Sequence, residues 1–223
     1  MRRLALLLAG SVAIACHDPV RNTDTTARPE PFLEIPPSAG IATRPCGDGT
    51  TYFTMTALAN RERWYGAHLR ALGEHPICDR TGAPTDVYRL TWLPTFHPTV
   101  VVRIERSDSG DIFTAKAVSG AGGYEPGHLA RDTTYMLKEA DSREFVRLLN
   151  EADFWAMPTT PPSDGTIGLD GAQWVLEGMG RGRYHVVDRW SPWANGPDAA
   201  YRRLAEWMLG QSGFTAASLV RGY

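Results

Sequence analysis

The stretch that most restricts this chain is Gly168–Trp193, GLDGAQWVLEGMGRGRYHVVDRWSPW. Ala172–Glu177 and Tyr184–Trp190 are rich in Trp, Val, Tyr and Leu, residues that suit a pleated and packed surface. Between them runs Gly178-Met179-Gly180-Arg181-Gly182-Arg183, whose glycines offer the positive φ of a tight reversal. The segment therefore reads as a β-hairpin, and a lone hairpin is unstable in water, so it demands a larger sheet. With a turn at Gly180-Arg181, Trp174 faces Val187 and Leu176 faces His185, while Val175 faces Val186 and Gln173 faces Asp188. A slip of one residue would exchange the two faces. Beyond the second strand comes Asp188-Arg189-Trp190-Ser191-Pro192-Trp193, the densest chemical grouping in the chain.

The other strands read from the same period of two. Asp86–Thr95 is one candidate. Val100–Arg106 is a second, with Val100, Val102 and Ile104 on one side and Arg103 and Glu105 on the other. After a Ser107–Gly110 turn, Asp111–Ser119 alternates Ile112, Thr114 and Lys116 against Phe113, Ala115 and Ala117. This predicts an antiparallel meander with one dry and one wet face, Arg103, Glu105 and Lys116 forming a solvated charge ladder. Gly120–His128 has glycines but no helix start behind it. It reads as a long connection into a strand over Arg131–Glu139 rather than a phosphate cradle.

Helical spacing appears three times. Ala57–Leu72 places Leu58, Arg61, Tyr65, Leu69 and Leu72 on one stripe, with Gly73 as its stop. Asp141-Ser142-Arg143-Glu144 has the form of a capping box before Phe145, Leu148, Leu149 and Ala152. Gly196-Pro197-Asp198 opens a last helix with Tyr201, Leu204, Ala205 and Met208 on its stripe and Gly210 at its end. The fold class expected is α+β: one antiparallel sheet, meander plus C-terminal hairpin, with helices packed mainly on one face.

The N-terminus gives an address. Arg2-Arg3 precedes an apolar run, Leu4–Ile14, shorter than the ~20 residues that span a bilayer. Ala13-Ile14-Ala15-Cys16 resembles a bacterial lipobox, which implies lipidation at Cys16 and a membrane anchor; Ala-x-Ala also suits ordinary signal peptidase at the same bond. With His17 rather than aspartate after it, the resemblance implies the outer membrane where the host has one. The chain holds three cysteines, and with Cys16 lipidated, Cys46 and Cys78 form an even pair for a disulfide in an oxidising compartment. The parts are then a signal peptide (1–15), a proline-rich tether (16–45), an N-terminal helical segment (46–84), the α+β domain (85–215) and a tail (216–223).

A further resemblance rests on order and spacing over roughly residues 85–212. The meander, then Leu148, Leu149, Ala152, Asp153 and Phe154 in a helix, then a loop with Asp164 or Asp170, a hairpin and a terminal helix, resemble a domain family of unknown function in bacterial envelope proteins. That resemblance implies a location and a fold, and no activity.

Chemistry is sparse. A net charge of −2 offers no field to gather phosphates, so nucleic acid is an improbable partner. No Gly-x-Ser-x-Gly, His-Glu-x-x-His or paired-cysteine pattern occurs, so no metal or cofactor is expected; His68 and His75 have no ligand spacing. Candidate ligand-binding residues are Trp190 and Trp193 as apolar contacts, with His185, Asp188 and Arg189 as polar ones. The two tryptophans also suit a small core sealing the sheet against the last helix. The function read from these residues is an envelope-anchored binding or interaction module for an envelope protein or cell-wall glycan. The alternative is a cell-wall-polymer hydrolase using carboxylates among Asp170, Glu177 and Asp188.

Overall fold

A computed structural model describes residues 52–53, 56–78, 85–161, 170–180 and 183–213. A short 3-10 helix, Thr56–Arg61, runs into α1 (Glu62–Ala71). Then follow β1 (Asp86–Pro94), β2 (Val100–Ser107), β3 (Gly110–Val118), β4 (Leu129–Met136), α2 (Glu139–Glu151), β5 (Ala172–Gly180), β6 (Arg183–Trp190) and α3 (Ala199–Gln211). The strands form one antiparallel sheet in the order β4-β3-β2-β1-β5-β6. The fold is α+β. Cys16, Cys46, Asp164 and residues 1–45, where a signal peptide and tether are expected, lie outside the described residues, as do residues 214–223.

The meander and the hairpin meet because β1 pairs with β2 on one side and β5 on the other. Tyr88, Leu90, Trp92, Val102, Ile104, Phe113, Trp174, Leu176 and Val187 turn to one face of the sheet. There α2 contributes Phe145, Leu148 and Leu149, and α3 contributes Tyr201, Leu204, Ala205 and Met208. Each helix thus buries the stripe that its spacing announced.

The second face is not wet. Leu58, Tyr65, Leu69 and Leu72 of the first helical segment cover Leu93, Val101, Val118, Val175 and Val186. All nine residues of β5 are therefore buried. The charge ladder is corrected accordingly. Arg103 and Lys116 are only partly exposed, and both pair with the buried carboxylate of Glu74, at 2.6 Å and 2.9 Å. Their charges looked solvated because nothing in β2 or β3 shows that an element far upstream returns to cover them.

Three local expectations also change. The hairpin pairs Leu176 with Val187 and Trp174 with Arg189, two residues away from the expected register. An offset of two keeps every side chain on its expected face. Gly180 pairs with Arg183, and Gly178 and Gly180 are extended strand residues rather than turn residues. Gly178 is needed for another reason: a Cβ there would lie 2.6 Å from the Phe154 ring. Helix α2 begins at Glu139, so Asp141 and Glu144 fall inside it and make no cap. Gly210 lies inside α3, and Gly213, with φ 73°, takes the left-handed position after it.

Asp153 ends α2 with φ 48°, a left-handed conformation that short polar side chains tolerate best. The turn drives Phe154 into the core beside Tyr88.

Candidate functional site

The sequence places five candidate residues on β6 and the loop after it, and the pleat separates them. Side chains alternate along a strand, so Asp188 and Arg189 point to opposite faces. Asp188 lies under α1. It accepts hydrogen bonds from Arg61 Nη1 (3.2 Å), Tyr65 Oη (3.1 Å) and Gln173 Nε2. Burial raises its carboxyl above the usual aspartate range, and Arg61 opposes that shift. Arg189 faces the α3 side. Its guanidinium donates to Asp198 Oδ1 (2.8 Å), Thr159 O (3.0 Å) and Pro158 O (3.0 Å). Both charges hold elements together.

His185 stands on the same face as Arg189, four residues earlier. Its ring meets Phe154 edge-on at 5.0 Å and Trp155 at 6.1 Å. Burial lowers its pKa, with partial compensation from the backbone of Met157. It stands apart from the tryptophan loop at the far end of β6.

The two tryptophans do share a loop. Trp190 is partly buried, and Trp193 is 81% exposed. The loop between them is braced. Ser191 N–H donates to Ala172 O (2.8 Å), and Ala172 N–H donates back to Ser191 Oγ (2.9 Å). Arg202 Nη1 of α3 donates to Pro192 O (2.9 Å). Ser191 takes φ 39°, which costs a non-glycine residue of order 1 kcal/mol. Gly171 permits the close approach, since a Cβ would strike Ser191 Oγ at 2.3 Å and the Trp190 ring at 3.0 Å. A large apolar ring is thus held out into water on a fixed support. Phe96, 45% exposed, and Tyr124, 63% exposed, stand at the same end of the sheet on the β1–β2 and β3–β4 connections, 6.1 Å apart.

The carboxylates considered for hydrolysis sit differently. Glu177 is fully buried. Arg89 grips it through Nε (2.8 Å) and Nη2 (2.7 Å), and Tyr184 Oη donates to its other oxygen (2.8 Å). Burial raises its pKa while Arg89 pulls it down. Asp170 is exposed at the entry to β5. Glu177 and Asp188 share a face, yet α1 covers them and each is saturated by its own partners, so neither meets a substrate-sized opening.

Reasoning from sequence missed the ionic layer beneath α1. Glu74 and Arg89 are both buried. Burial pushes the Glu74 carboxyl up, but Arg89, Arg103 and Lys116 more than reverse this and hold it below the usual glutamate range. The available signal was the run of charges at alternate positions on β1, β2 and β3. Among the described residues, no group of three or more His, Cys, Asp or Glu can hold a metal ion, and no helix is long and apolar enough to cross a membrane. In comparisons with known proteins, the chain matches no family model and no curated protein.

Proposed function

We propose that this chain is an envelope lipoprotein whose α+β domain is a binding module for cell-wall glycan. In this reading Cys16 carries the lipid, residues 16–45 form the tether, and a Cys46–Cys78 disulfide ties the helical segment down. Cys78 is buried at the end of that segment, and Cys46 lies outside the described residues. The observation that carries the binding role is Trp193, exposed on a loop fixed by Arg202, Ser191 and the Arg189–Asp198 pair. An aromatic face gives a sugar ring a large contact at little entropic cost, and a rigid support avoids the cost of ordering the loop.

The test uses the full chain with purified cell-wall sacculi. Wild type is expected to co-sediment. Trp193→Ala is expected to lower the bound fraction roughly tenfold while leaving stability within ~0.5 kcal/mol, as for other exposed positions. A melting temperature that drops by several degrees, or sedimentation that ignores the substitution, counts against this role. Mass spectrometry of the mature N-terminal peptide tests the anchor: an unacylated Cys16 removes it.

A further inference from the structure

On the α1 side of the sheet the fold builds a separate groove, with a cavity volume of about 520 Å³. One wall is α1, presenting Arg63, Trp64, His68 and Arg70; the other is the β3–β4 connection, presenting Tyr124 and Glu125. The two walls are stitched together. Trp64 Nε1 of α1 donates to Gly122 O (2.6 Å), and the connection is held in turn on the β1–β2 connection by Gly122 N–H to His97 O (2.9 Å) and Gly123 N–H to Thr95 O (3.1 Å). Both glycines let the β3–β4 connection lie against the end of β1, since Cβ atoms there would lie 2.6 Å from Pro94 O and 2.7 Å from Thr95 O.

Two features of this groove lack an internal purpose. Arg63 and Arg70 are exposed and form no ion pair among the described residues; Arg70 only overlies the Tyr52 ring at 5.9 Å. By contrast, Arg143, Arg147, Arg202 and Arg203 on α2 and α3 each take a glutamate partner. Second, the Tyr124 ring is exposed and backed by Phe96.

The arginines stand seven residues apart on one helix, two turns or ~10.5 Å of rise. Gripping a single small anion would bring them to one point; this spacing suits charges repeated along a polymer. Guanidinium forks match carboxylates two bonds at a time. The walls are a helix and a loop, so they offer no strand edge for pairing with a peptide backbone. We propose that this groove binds a carboxylate-bearing sugar chain. One sugar ring lies on Tyr124, and two carboxylates of the chain, on separate sugars, meet Arg63 and Arg70. The site does not depend on the tryptophan loop.

The experiment titrates the full chain with tetragalacturonate, with neutral chitotetraose and with hexaglutamate, followed calorimetrically. Tetragalacturonate is expected to bind. Arg63→Gln and Arg70→Gln each weaken it roughly tenfold and flatten its salt dependence. Tyr124→Ala weakens it too, and Trp193→Ala leaves it unchanged. Should either glutamine variant melt early, Arg63→Lys and Arg70→Lys replace them; they keep the charge, lose the fork, and are expected to bind more weakly than wild type. The proposal is overturned by absence of tetragalacturonate binding, by indifference to the arginine substitutions, or by chitotetraose binding as tightly. Hexaglutamate binding as tightly, with Tyr124→Ala silent, identifies an acidic-peptide groove and overturns it as well. Loss of sacculus binding by Trp193→Ala with tetragalacturonate binding intact tells the two sites apart.

Discussion

At the scale of single residues, His68 gives this fold a pH dependence. It is fully buried, and burial lowers its pKa to about 4, a shift only partly offset by the Tyr124 backbone. The folded state therefore holds the ring neutral where the unfolded chain protonates it. Above the ordinary histidine pKa both states are neutral and the full stability is present. As pH falls from about 6.5 towards about 4, the unfolded state takes up the proton and stability is lost. Glu177 and Asp188, with raised pKa values, work in the opposite direction over part of that window, so the comparison must be made with a variant. Between about pH 7.5 and about pH 5, urea titrations of wild type are expected to lose ~2 kcal/mol more than those of His68→Gln. Equal losses in the two proteins would show that the folded state protonates the ring as readily as the unfolded chain does. Nothing in the sequence around His68 announces this. It sits on a helix like any surface histidine, and its contact with Thr99, just before β2, comes from a distant part of the chain.

At the scale of elements, two glycines with opposite surroundings make a paired prediction. Gly178 in β5 has the Phe154 ring where a side chain would go, and Gly210 in α3 has nothing within 4 Å. Gly178→Ala is expected to destabilise by ~1–3 kcal/mol through overpacking. Gly210→Ala is expected to stabilise by up to ~1 kcal/mol through helix propensity. Chemical denaturation of both variants checks the signs, and a neutral Gly178→Ala would mean that Phe154 yields easily. The sequence makes both look like punctuation, a turn residue and a helix stop. Glycine is ambiguous by nature: it marks a turn, a close approach or an accident, and only the neighbour decides. Strand identity and facing were legible because a period of two survives any even error in register. Leu176 thus reached the correct face although its expected partner was wrong. The same period could have dismissed Asp188 and Arg189 as one site, since adjacent strand residues cannot share a face.

At the scale of the whole molecule, the sheet is a partition between two unlike cores. On the α2–α3 side the contacts are almost wholly apolar, from Trp92 and Phe113 to Met208. On the α1 side an apolar cluster lies next to the Glu74, Arg89, Arg103, Lys116 and Glu177 charges. What the sequence could not express was this second layer, because it joins residues on four strands to Glu74 in the segment after α1, and none of their charges looks buried until α1 is in place. The partition has a temporal consequence. An apolar face repels water as soon as its strands pair, whereas an ionic face stays hydrated until its partner arrives and pays the full desolvation cost only on docking. The chain should therefore close α2 and α3 onto the sheet first and seat α1 last. Pulse-labelled hydrogen exchange during refolding is expected to protect Phe145–Leu149 and Leu204–Met208 before Tyr65–Leu69; simultaneous protection would refute the order. For a chain made from its N-terminus onward, the first of the described α-helices to be synthesised is then the last to settle.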